Sequence, residues 1–141
     1  MLYAIILSCF ISLTNIENPN QEEIRVVVDN VSSQPGEIMV ALFDAQDGFP
    51  SNAHKAIKLA RCHAQSDTVS VTFDKVPPGK YAIALFHDTN GDSILNTTIL
   101  GIPKEGYGVS NNIKNKFSTP SFQQAEFMHQ HNTSLTISIN Y

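Results

Sequence analysis

The sequence predicts an all-β domain, an antiparallel β-sandwich of about seven strands, and three observations carry that expectation. Segments of alternating apolar and polar residues recur at short intervals, Gly, Pro, Asn and Asp punctuate them, and only one stretch shows helical spacing. Composition agrees. The 141 residues are 42% hydrophobic and 16% charged, against roughly 25% charged in an average domain. A chain of this length is expected to form one domain whose core folds without disulfide staples.

Ile24 to Val31 opens the body, with Ile24, Val26 and Val28 on one face and Arg25, Val27 and Asp29 on the other. Ser32 to Gly36 supplies a turn. Glu37 to Phe43 is apolar on both faces, as a central strand covered from two sides must be. Ser51 to Ala60 places Ala53, Ala56, Ile57 and Ala60 at helical spacing behind Ser51 or Asn52 as a cap, while Ile57, Leu59 and Arg61 alternate. A short helical turn leading into a strand satisfies both patterns. Thr68 to Asp74 sets Val69, Val71 and Phe73 against Ser70, Thr72 and Asp74. After the turn at Pro77-Pro78-Gly79, Lys80 to His87 is apolar on both faces and is expected to be the best-buried strand. Leu100 to Gln130 contains Gly101, Pro103, Gly106, Gly108 and Pro120 and reads as a long loop with a late strand near Phe122 to Met128. Its aromatics, Tyr107, Phe117, Phe122 and Phe127, argue for order. Leu135 to Tyr141 closes the chain, with Leu135, Ile137, Ile139 and Tyr141 facing inward.

Leu2 to Leu13 is an almost unbroken apolar run, within the ~7–15 residues of an export signal and short of the ~18–20 that cross a bilayer. Residues 1–20 are therefore expected to be a signal peptide, leaving 21–141 as a single exported domain, periplasmic, cell-surface or secreted, with no transmembrane span. No Lys or Arg precedes the run, and no small-x-small cleavage site precedes Glu17; the competing reading is an N-terminal strand packed into the core. Leu7-Ser8-Cys9 has the form of a lipoprotein site, but only eight residues precede Cys9, which is short for one. Without Cys9, Cys62 is the sole thiol, and a buried structural role is expected for it. Thirteen acidic against nine basic residues give a net charge of -4, so no basic surface is present to hold a phosphate backbone, and nucleic acid is not an expected partner.

One loop has the composition of a cation site. Asp88, Asn90, Asp92 and Asn96 occupy relative positions 1, 3, 5 and 9, with the Ile94 carbonyl at position 7. That is calcium-loop spacing, in which alternate oxygens converge on one hard cation. Ser93 stands where calcium loops place a sharp-turn glycine, and Ile99 where a bidentate Glu would complete the shell. Ca²⁺ is thus expected to bind weakly, with Glu105 as a further ligand if it folds back. The competing reading is a turn of Asx residues capping their own backbone.

Gly36 to Phe43, Gly79 to Asp88, Asn90-Gly91-Asp92, Gly101 to Asn112 and the Pro120 to Phe127 segment together resemble an uncharacterised exported bacterial family, domain of unknown function 2141. The resemblance spans Ile24 to Tyr141 and implies a small periplasmic or surface β domain with no assigned reaction. In that family the loop carries a Gly near Ser93 and an Asp at the position of Asn96, which implies a weaker cation site here. The Gly-x-Tyr strand resembles transthyretin-like sandwich domains, and immunoglobulin-like architecture is expected on the same analogy.

Lys104, Tyr107, Ser110 and Asn111 lie in a glycine-rich stretch that could form a ligand platform, or Tyr107 could seal the end of the sandwich. Of the five histidines, His129 and His131 form a lone His-x-His with no matched second pair for a zinc site, and no nucleophile elbow is present. The function expected is a non-catalytic binding or accessory module of the cell envelope, steadied by Ca²⁺ and meeting an envelope protein, glycan or peptide. The rival is a small envelope hydrolase using Asp88, Asp92 and Glu105 as its carboxylate set.

Overall fold

A computed structural model describes residues 22–115 and 118–141. The expected export segment, Cys9 and Phe117 lie outside the described residues. Among the described residues eight strands form: β1 (Ile24–Asp29), β2 (Glu37–Phe43), β3 (Lys58–His63), β4 (Val69–Phe73), β5 (Gly79–Asp88), β6 (Tyr107–Val109), β7 (Phe127–His129) and β8 (Thr133–Ser138). They build two sheets, one in the order β4-β1-β8 and one in the order β3-β2-β5-β6, with β7 paired to the other end of β5.

The expected sandwich of antiparallel strands is present, with eight strands rather than seven and one departure. β1 and β8 pair in parallel, Ile24 with Thr133 through to Asp29 with Ser138, while β1 pairs antiparallel with β4 on its other side. Alternation sets which face of each strand is buried but carries no direction, so this pairing was not readable from pattern.

The main core lies between the sheets. Ile24, Val26 and Val28 of β1 meet Ile38, Val40 and Leu42 of β2, Ile83 and Leu85 of β5, and Ile137 of β8. The opposite face of β2 and β5 is also covered: Phe43, Ala82 and Ala84 pack with Phe49, Val109, Phe122 and Ala125. Two covered faces account for the double-sided apolar pattern of these strands.

The long loop is more regular than expected. In place of a strand, Phe122 begins a one-turn helix, α1 (Phe122–Ala125). Ser121 accepts the Gln124 N–H while the Gln124 side chain accepts from the Ser121 N–H, a reciprocal cap that satisfies donors no intrahelical carbonyl can reach. Phe122 then stacks edge-on against Phe49, 6.0 Å between centroids. The expected strand survives only as β7. Tyr141 also departs from expectation: it is 61% exposed, although its hydroxyl accepts the Ser32 N–H at 2.8 Å and meets His87 Nδ1 at 2.8 Å.

Candidate functional site

β5 carries the candidate loop out of the core. Its last residue, Asp88, is only 2% exposed, and its two oxygens accept the Gly91 and Ser93 N–H groups, each at 2.9 Å. Asn90 Oδ1 accepts the Asp92 N–H at 3.2 Å, and Asp92 Oδ1 accepts the Ile94 N–H at 2.9 Å. Each short side chain caps backbone ahead of it, which is the chemistry of Asx turns. Ser93 sits at φ 61, the left-handed conformation that glycine would adopt more readily. Ser93 holds this conformation at the position where a sharp-turn glycine was expected. Gly36 supports the loop from below, where an added Cβ would collide with the Asp88 carbonyl.

Glu105 does fold back, though toward backbone donors. It is 9% exposed; Oε1 accepts the Thr89 N–H at 3.1 Å and the Thr89 hydroxyl at 3.3 Å, and Oε2 accepts the Asn96 N–H at 3.2 Å. The six expected ligands thus divide by depth. Asp88 and Glu105 are buried latches at the two ends of the loop, while Asn90, Asp92 and Asn96 meet outside. Asn90 Nδ2 donates to Asp92 Oδ2 at 3.1 Å and to Asn96 Oδ1 at 2.8 Å, and Asn96 Nδ2 donates to Asp92 Oδ2 at 2.9 Å. The Asn96 amide first, then the Ile94 N–H and the Asn90 amide, hold the Asp92 carboxyl below its ordinary pKa. Ile94 offers that N–H while its side chain stays exposed. Among the described residues no three His, Cys, Asp or Glu side chains group as metal ligands.

The expected ligand platform is largely committed to holding the fold. Ser110 is fully buried where the edge of β5 passes from β6 to β7. Its hydroxyl accepts the Ile83 N–H at 2.9 Å and donates to the Ala125 carbonyl at 2.6 Å, so one side chain fills the break in the ladder. Asn111 Nδ2 donates to the Gln124 and Glu126 carbonyls. Its neighbour Asn112 pairs with the free edge of β8, accepting the Ser138 N–H at 2.8 Å and donating to the Thr136 carbonyl at 3.2 Å. Tyr107 is half-buried and exchanges backbone hydrogen bonds with Asn140, both 2.9 Å, joining the two sheets. Lys104 alone of the four keeps a free, exposed side chain.

His129 and the thiol also have local settings. His129 is buried between the Thr133 hydroxyl at 2.7 Å and the Val76 carbonyl at 3.0 Å. Burial, then the nearby Glu37, pushes the Cys62 thiol pKa up, which leaves it protonated and slow to react. A cleft of about 690 Å³ opens at the C-terminal end of β1, lined by Asp29, Asp67, Lys114 and Tyr141 among others, and none of the expected ligands lines it.

Sequence reasoning overlooked the segment between the two latches. Thr97 and Pro103 bridge, Lys104 N–H donates to the Asn96 carbonyl at 2.8 Å, and Thr98 N–H donates to the Ile102 carbonyl at 2.8 Å. The result is a small hairpin whose turn exposes Ile99, Leu100 and Ile102. The available signal was the run Ile99-Leu100-Gly101-Ile102 inside an otherwise polar loop.

The family described as "Uncharacterized protein conserved in bacteria (DUF2141)" matches residues 26–137. No curated protein matches the chain. Among solved structures, a fimbrial assembly protein from Parabacteroides distasonis is similar at a TM-score of 0.42 and 10% identity, over 84% of this chain and 52% of that one. The chain thus spans about half the length of that protein.

Proposed function

This chain belongs to the bacterial family DUF2141, and from that premise we propose that it works as a non-catalytic binding or accessory module of the cell envelope. The observation that supports this reading is the state of the carboxylates. Both oxygens of Asp88 and both of Glu105 accept backbone N–H groups, so these acids brace a loop and are poorly placed to exchange protons with a substrate. What the loop offers outward is a fixed surface.

The test is turnover by the purified protein on chromogenic glycan and peptide substrates, alongside Asp92→Asn. No hydrolysis is expected from either. Hydrolysis that the substitution abolishes would establish the envelope-hydrolase rival instead. Cell fractionation should recover the protein with the envelope, and a purely cytoplasmic pool would remove the accessory role.

Weak Ca²⁺ binding is the second part of the proposal, and the convergence of Asn90, Asp92 and Asn96 favours it together with the left-handed Ser93. As they stand, the two amides point N–H groups at Asp92; rotating each would present its oxygen to a cation, since an amide carries an acceptor and a donor on one carbon. Calorimetric titration with Ca²⁺ should give heat that Asp92→Ala abolishes. Absent heat and an unchanged melting temperature would leave the Asx network as the sole lock.

A further inference from the structure

Among the described residues, nothing covers the crest of the hairpin between the latches. Ile99 is 105% exposed, Leu100 85% and Ile102 58%, so the first two are as open to water as in an isolated peptide. Exposed aliphatics scattered singly are ordinary, but three at the crest of one turn form a feature. The hairpin is also well supported: Gly101 N–H donates to the Thr98 carbonyl at 2.9 Å, Ile102 N–H to the Thr98 hydroxyl at 3.2 Å, and the Asn96 and Glu105 contacts tie its base to the locked loop. Residues 97–103 carry no charged side chain, and Lys104 follows immediately.

We propose that this turn inserts into the interfacial region of a neutral lipid bilayer. Three properties select lipid over a protein partner. A specific protein interface engages about 20–30 residues a side and about ten hydrogen bonds, and one convex turn of three aliphatics supplies neither. The hairpin closes the Thr98, Gly101 and Ile102 N–H groups internally, even recruiting the Thr98 hydroxyl, which lowers the cost of taking those donors out of water. Aliphatic crest, uncharged flanks and a following Lys104 match the order of acyl chain, interface and headgroup, at the roughly 5–10 Å depth of interfacial insertion. The net charge of -4 disfavours anionic surfaces, so the bilayer expected is zwitterionic. This inference stands apart from the proposed non-catalytic role, and turnover results do not bear on it.

The sequence contains no Trp, which makes Leu100→Trp in the full chain a reporter of this turn alone. With phosphatidylcholine vesicles its emission should shift to the blue and be quenched by brominated acyl chains. Replacing Ile99, Leu100 and Ile102 by Ser should lower the vesicle-bound fraction by about tenfold or more, since it removes most of the apolar area that drives insertion. Adding phosphatidylglycerol to the vesicles should weaken binding. An unchanged spectrum with vesicles would overturn the proposal in favour of a protein partner, and a shift that needs only higher protein concentration would overturn it in favour of a second copy. Tighter binding to anionic vesicles would overturn the choice of a neutral surface.

Discussion

At the scale of single residues, this protein uses side chains as substitutes for backbone. Ser110 stands in for a missing ladder partner, and Ser110→Ala leaves the Ile83 N–H and the Ala125 carbonyl without it. Unmatched buried polar groups cost about 1–3 kcal/mol each, so this loss of one oxygen should destabilise by about 2 kcal/mol in urea unfolding, with unchanged strand content by circular dichroism. Asp92 offers a test of sign. Hydrogen bonds depress its pKa in the folded chain, so its contribution is present above the unfolded value, about 3.9, and is lost as pH falls through the lower folded value. Asp92→Asn should therefore be less stable than the parent at pH 7, and the gap should close as pH falls below the unfolded value and through the lower folded one. The spacing of Asp88, Asn90, Asp92 and Asn96 was legible as a loop that turns sharply. Which acids would be buried was not, because Asp88 packs against Gly36 and Glu105 folds back onto Thr89 and Asn96, contacts between residues far apart in sequence that no local pattern carries.

At the scale of elements, legibility followed length and alternation. β2 has the expected bounds, Glu37–Phe43, and the helical turn before β3 lies at Ala53–Lys55, inside the expected stretch. β6 was missed because three residues next to Gly106 and centred on Gly108 carry too little alternation. α1 had a signal, Ser121 followed three residues later by Gln124, but four residues are too few for helical spacing to outweigh the aromatic pattern around them. The edge of β8 is closed by Asn112, at φ 52, and an uncovered edge invites pairing with other chains. Asn112→Ala should cost about 1–2 kcal/mol, combining lost hydrogen bonds with a Cβ in the left-handed region. Asn112→Gly keeps the backbone at ease and should cost about half as much. Equal losses in the two variants would show that the amide alone matters.

At the scale of the whole molecule, the five-stranded sheet is the spine, packed on both faces, and Ile83 sits at its centre fully buried. Ile83→Ala should destabilise by about 2–5 kcal/mol, the largest loss of any substitution named above, as read from the midpoint of chemical unfolding. The parallel pairing of β1 with β8 has a consequence in time. β1 waits for β8, which is made after β2 through β7, before its side of the sheet can be completed. During synthesis, β1 can hold only its antiparallel neighbour β4, so the half-finished molecule shows the apolar side of a two-stranded ribbon, which is marginal in water by itself. Completion of this sheet is thus gated by delivery of β8, and a nascent chain stalled before residue 133 should remain a client for chaperones.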